Sequence, residues 1–240
     1  MNGRSLLRTA RELLRALPWL LPASEHKNAL LRLQGHEVHD RARVQASLVW
    51  RVDHVVLAEG SRLGRGNVIK DLREVNLGFR ASVGRFNVLS SHPVYKRLYS
   101  GGASLHLAEH AKVTSRHHLD CAGSIVIGPF ASVAGSGTSL MTHSVDLRRD
   151  AQVAWPIVIN DYCFVGTRCT LLGGSVLPAR SVLAAGSVLN RSSGPGESGL
   201  WSGVPAAYRR PVDGAWFRRT EAHTRRVYVP TTDTIVENAF

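Results

Sequence analysis

Aliphatic side chains return every six residues through the second half of the chain, at Ile159, Val165, Leu171, Leu177, Leu183 and Leu189. Four positions after each of the first five stands a small or compact residue: Cys163, Cys169, Ser175, Ser181 and Ser187. An amphipathic helix needs a period of about 3.6 residues and a half-buried strand a period of about two. A period of six fits a short strand followed by a tight corner, repeated coil upon coil. The aliphatic residue points inward, and the compact residue occupies a corner where space is short. Glycine, asparagine or aspartate near a corner tolerates the backbone angles such a bend demands. Stacking then buries one continuous aliphatic column, the core of a quasi-one-dimensional solenoid.

The pattern extends upstream with less regularity. Leu57, Leu63 and Ile69 form one group, Leu77, Val83 and Leu89 the next. Leu107, Val113, Leu119 and Ile125 follow, then Ile127 and Val133. Two stretches break the rhythm. The first, near residues 90–106, carries Pro93 and the pair Gly101 and Gly102 as turn signals. The second, near residues 144–156, follows His143 and holds two arginines and two aspartates in "VDLRRDAQVAW". Loops of this kind on a stiff scaffold commonly carry function.

The ends differ from the middle, which gives three regions: 1–36, 37–210 and 211–240. Residues 4–17 read as an amphipathic helix, with Arg4, Arg8, Arg11 and Arg15 on one side. Leu6, Leu13 and Leu17 face the other side, flanked by Leu7 and Leu14 and followed by Trp19, Leu20 and Leu21. A basic amphipathic helix suits the surface of an anionic membrane. Packing against the solenoid or a partner subunit is the favoured reading. After Arg210 the register is lost, and a short helix around Ala215 to Val227 is expected before an extended end.

Charge narrows the partners. A net charge of +12 and a pI near 10.6 favour anionic ligands. No aromatic-interleaved basic platform appears, so nucleic acid is not among the expected partners. The apolar stretch Leu17 to Ala23 is short and broken by prolines, which argues against a cleaved signal peptide. Three cysteines without a CxxC pair suggest neither zinc nor a disulfide framework and suit a reducing cytoplasm. Cys163 and Cys169 fall in the core register, not among candidate nucleophiles.

The repeats in "INDYCFVGTRCTLLGGSVLPARSVLAAGSVLN" (Ile159 to Asn190), with "SGVPAAYRR" (Ser202 to Arg210), resemble those of the hexapeptide-repeat acyltransferases. Nearest in style are the sugar O-acetyltransferases of maltose/galactoside and exopolysaccharide type. The resemblance spans Val56 to Arg210. It implies a left-handed parallel β-helix of triangular section, three hexads per coil, against the usual right-handed crossover preference.

The resemblance also implies function. In that family a threonine–histidine or glycine–histidine pair precedes a loop and an aliphatic strand, and here "MTHSVDL" precedes "WPIVINDYCFVG", so His143 takes the place of the general base. The implied reaction passes an acyl group, expected to be acetyl, from acyl-CoA to a sugar or glycan hydroxyl without a covalent enzyme intermediate. The residue orienting His143 is left open among Asp146, Asp120 and a backbone carbonyl. His118, Asp120 and Asp146 are expected substrate contacts, whereas His117 falls in an inward slot. Gly166, Thr167, Ala184 and Ala185 fall where the family holds pantetheine. Arg209 and Arg210 fall where it meets coenzyme A phosphates, with Arg218 and Arg219 as further candidates. Ala207 departs from the family's lysine, which puts one phosphate contact in doubt.

No metal is implied. A γ-carbonic anhydrase-like enzyme would need three histidine ligands, two of them spaced HxxxxH, and the chain has no such pair. A non-catalytic scaffold or binding module remains the alternative. The family further implies a homotrimer, while the cysteine pattern points to a cytoplasmic location and the N-terminal helix to peripheral contact with the inner face of a membrane.

Overall fold

The computed structural model describes residues 3–193 and 196–239, with side chains from residue 9 onward. The side chains of Arg4, Leu6, Leu7 and Arg8 therefore lie outside the described residues. From Glu37 the chain winds through three flat faces in turn, each a parallel sheet except for the antiparallel closing pair Leu200–Gly203 and Ala206–Arg210. Face A begins at Glu37–Val38, face B at Arg43–Val44 and face C at Leu48–Trp50. Seven strands stack on A and on C, and nine on B, so strands repeat in triplets as a left-handed β-helix of hexads requires.

Register follows the hydrophobic period. On face A, Leu57 pairs with Leu77, Leu77 with Leu107, Leu107 with Ile127 and Ile127 with Ile159. Each inward aliphatic thus sits on the one below, and Ile159, Val165, Leu171, Leu177, Leu183 and Leu189 are fully buried. Burying each such side chain contributes roughly 1.5–3 kcal/mol. Cys163 and Cys169 are buried in the same cluster.

One corner column is polar. Asn67 Oδ1 accepts from Asn87 N (2.9 Å) and Asn87 Nδ2 (3.1 Å), and Asn87 Oδ1 accepts from His117 N (2.9 Å). The His117 ring continues the ladder. Its Nδ1 accepts from Thr138 N at 3.2 Å, and its Nε2 meets Thr114 Oγ1 at 2.8 Å. Burial holds the imidazole down near pKa 4, so it is a neutral core residue.

The corner expectation needs one correction. Several positions with left-handed backbone are large residues, including Arg80, His110, Phe130, Tyr162 and Arg180. Stacking supplies a reason: ring centroids of His110 and Phe130 lie 4.7 Å apart, and those of Phe130 and Tyr162 4.8 Å. Each left-handed residue costs roughly 1–2 kcal/mol, which aromatic contact between coils offsets in part.

Two helices close the N-terminal end. Helix α1 spans Gly3–Leu20 and α2 spans Glu25–Leu33. Trp19 and Leu31 join the same buried cluster as Val38, Val44 and Val49. The ammonium of Lys27 donates to the carbonyls of Trp19 (2.9 Å), Leu21 (2.8 Å) and Gln45 (3.2 Å). Asn28 Nδ2 donates to Ala42 O at 2.9 Å. The end of a stacked solenoid exposes carbonyls, and these two side chains satisfy several of them. On α1, Ala16 and Trp19 are buried while Leu13, Leu14, Leu17 and Leu20 are exposed.

Both interruptions are structured. Helix α3, Pro93–Leu98, rises from the first, and an antiparallel hairpin of His143–Asp146 with Ala151–Ala154 forms the second. The C-terminal expectation is corrected. A single 3-10 turn at Ala215–Arg218 replaces the helix, and Val227–Val229 pairs with Thr234–Val236. Four arginines with Thr220, Glu221, His223 and Thr224 leave residues 215–227 without a helical apolar stripe.

Candidate functional site

His143 lies just beyond the face C strand Ser139–Met141, at the corner leading to face A. One coil below, Asp120 ends the neighbouring strand His118–Asp120, and Asp120 pairs with Met141. That stacking brings the two side chains together. Asp120 Oδ2 accepts from His143 Nδ1 at 2.5 Å and from His143 N at 2.9 Å. Asp120 Oδ1 accepts from Ala122 N at 3.2 Å. The Thr142 hydroxyl donates to Asp120 O and accepts from Gly123 N, both at 2.8 Å. Asp120 is held on three sides, and its side chain is 8% exposed against 43% for His143. Donation from Nδ1 leaves Nε2 of the neutral ring as an acceptor on the open side.

Helix α3 supplies one wall. The Tyr95 ring lies 6.2 Å from that of His143, and its hydroxyl donates to Gln152 Oε1 at 3.3 Å. Tyr99 donates to Ala154 O at 2.7 Å, tying α3 to the hairpin. From below, Arg73 Nη2 donates to Lys96 O (2.5 Å) and Tyr99 O (2.7 Å). Lys96 in turn pairs with Asp53 at 2.5 Å.

On the other side opens a cleft of about 380 Å³, lined among others by His143, Trp155, Leu172, Gly173, Asn190 and Arg191. The Arg191 guanidinium lies 4.6 Å from the centre of the Trp155 ring. Among the described residues no carboxylate pairs with Arg191, so it can meet an anion. Gly173 is required by close approach: a Cβ there would stand 2.4 Å from Thr142 O. The arrangement offers an acceptor nitrogen, a fixed ring orientation and a cation within one half-enclosed space.

The other expected residues are dispersed. Asp120 turns its carboxylate onto His143, not toward open surface, which corrects its reading as a substrate contact. Asp146 pairs with Arg149 and accepts from Arg148 N at 3.0 Å in the hairpin turn. Its pKa is lowered chiefly by the Arg149 hydrogen bond. It therefore braces the turn and does not orient His143. His118 is exposed on face C, two residues before Asp120, and borders a different depression beside Phe86 and Arg116.

Gly166 and Thr167 follow Phe164–Val165, and Ala184 and Ala185 follow Val182–Leu183, at the corner between faces B and C. Thr167 Oγ1 donates to Ser136 O at 2.7 Å. Face C separates this corner from His143. Arg209 Nε donates to Ser202 Oγ at 3.0 Å, and the exposed Arg210 ends the same closing strand, Ala206–Arg210. Arg218 pairs with Asp213 at 2.5 Å, and Arg219 lies 3.8 Å from the Trp216 ring centre. Sequence reasoning missed Tyr95, Trp155, Asn190 and Arg191 at the histidine. The break in rhythm near residues 90–106 was the available signal for Tyr95. Among the described residues, no three histidines, cysteines or acids gather as a metal-ligand set.

No protein-family model and no curated protein matches the chain. Similar solved structures exist. A hexapeptide-repeat-containing acetyltransferase from Vibrio cholerae O1 biovar eltor, complexed with acetyl coenzyme A, shares 22% identity over 57% of this chain and 71% of that one, with a TM-score of 0.45. An N-acyltransferase from Bacillus cereus, in complex with dTDP and coenzyme A, shares 10% over 66% and 74%, TM-score 0.42. The polysialic acid O-acetyltransferase OatWY shares 13% over 73% and 84%, TM-score 0.37. The likeness is one of fold. What this chain does must be argued from its own site.

Proposed function

We propose that the protein is an acyl-coenzyme A-dependent O-acyltransferase, using acetyl-CoA and acting on a sugar or glycan hydroxyl. The observation that carries this reading is the Asp120–His143 pair at the mouth of the Trp155–Arg191 cleft. A hydroxyl is a weak nucleophile at neutral pH, and His143 Nε2 is free to take its proton during attack. The oxygen bonds to the thioester carbonyl carbon, the carbon–sulfur bond breaks, and the departing sulfur receives the proton from the imidazolium. Asp120 keeps the ring turned for both transfers and offsets its transient positive charge.

Direct transfer fits the cysteines. All three are buried, and burial pushes the Cys163 thiol up to about 12 and raises Cys121 and Cys169. None is a ready thiolate. The proposal includes a homotrimer with no metal in a cytoplasmic setting. It also includes peripheral contact with a membrane through the exposed leucines of α1 and the nearby Arg11 and Arg15. No described helix is long and apolar enough to cross a membrane.

Calorimetric titration with acetyl-CoA tests the donor. One saturable site per chain is expected, with affinity falling about tenfold when the 3′-phosphate is absent, as one lost charged contact implies. Absence of saturable binding would favour the non-catalytic scaffold. Asp120→Asn tests positioning: kcat should fall about 100-fold with KM nearly unchanged, because only the ring's orientation and charge support are lost. Equal losses in kcat and protein stability would instead mark Asp120 as purely structural.

A further inference from the structure

A concentration of unpaired positive charge lies away from His143. Residues 214–226 fold back over face B, and between them runs a cleft of about 350 Å³. Arg62 and Arg80 line it from the β-helix, Arg225 and His223 from the C-terminal segment. Behind His223 stands Lys112, whose Nζ meets His223 Nδ1 at 2.9 Å. Glu221 is the one carboxylate in the lining. Among the described residues, none of Arg62, Arg80, Lys112 and Arg225 has a carboxylate within 4.0 Å.

A second observation points independently to a ligand. His110, 7% exposed, lines the cleft, and its Nδ1 is buried with no hydrogen-bond partner. Buried polar atoms in native proteins are nearly always satisfied, so an orphaned nitrogen on a residue of the cleft wall calls for a polar partner or water. Burial and the neighbouring Arg219 hold Lys112 down near pKa 8, and burial, Lys112 and Arg62 lower His223.

We propose that this cleft binds a phosphoryl group bearing two or more negative charges, carried on a phosphorylated small molecule. A lone carboxylate would leave most of the four cations uncompensated, whereas a phosphate or diphosphate presents several acceptor oxygens at once. The volume sits at the small end of ligand sites, room for a diphosphate and an attached ring. The site shares no lining residue with the Trp155–Arg191 cleft, so it does not rest on the acyl-transfer reading.

Inorganic pyrophosphate is the probe, titrated calorimetrically into the full chain at low salt. One saturable site is expected, with affinity falling steeply as salt is raised. Arg225→Gln, on an exposed residue, should weaken binding about tenfold, and Lys112→Gln at least as much. Arg148→Gln, which removes the same charge from the hairpin, should leave it within about twofold. No saturation, or equal affinity in all three variants, overturns the site. Competition then tells the source. Displacement by coenzyme A assigns the site to the coenzyme's own phosphates, and displacement by glucose 1-phosphate alone assigns it to a phosphorylated acceptor. Both uphold a phosphoryl site.

Discussion

Replacing His143 by alanine should lower kcat for acyl transfer by about 10²–10⁴-fold, the range for loss of a positioned general base. Acetyl-CoA affinity should change less than about twofold, because the Trp155–Arg191 contact and the cleft walls stay in place. Stability should also hold, since the ring is half exposed and lies outside the aliphatic column. Steady-state kinetics with an acceptor, set beside titration of the same variant, separates the terms. Activity within tenfold of the parent would remove His143 from the mechanism. The expected loss is larger than that for Asp120→Asn, because asparagine disturbs the ring while alanine deletes the acceptor nitrogen itself.

Lys27→Ala should destabilise the chain by about 2 kcal/mol at pH 7. The lysine is fully buried, and its removal leaves the carbonyls of Trp19, Leu21 and Gln45 without their donor and opens a small cavity. The effect depends on pH with a definite sign. Burial lowers the folded pKa of Lys27 from 10.5 to about 8. Between those values the unfolded chain binds more protons than the folded one, so this group's contribution to stability rises with pH. The gap between parent and variant should therefore widen from pH 8 to pH 10. Urea denaturation of both proteins at three pH values measures it. A gap that narrows over that window would show that Lys27 is not held as the cap geometry implies.

The aliphatic period carried most of the fold. Six-residue spacing fixes which side chains turn inward whatever lies above and below. Leu171, for example, is buried where the hexad count places it and pairs with Leu140 and Leu189. His117 was legible for the same reason, since its slot in the repeat faces inward. His143 was legible because it stands where the repeat stops, in a motif with a family resemblance.

Its partner was not. Asp146 is three residues from His143 and Asp120 is 23 away, yet the nearer carboxylate is drawn into a turn by Arg149 and the farther one reaches the ring. Coil length varies with each insertion, so adjacency along the stack cannot be counted from spacing alone. Tyr95, Trp155 and Arg191 come from three separate interruptions or corners, and only closure of the solenoid gathers them around one histidine. The same holds for Arg62, Lys112 and Arg225, which meet only because residues 214–226 fold back on face B. The sequence by itself determined the repeating backbone, a local property of spacing and side-chain volume. The tertiary structure decided which irregular segments meet on its surface, because that depends on contacts between residues tens to more than a hundred positions apart.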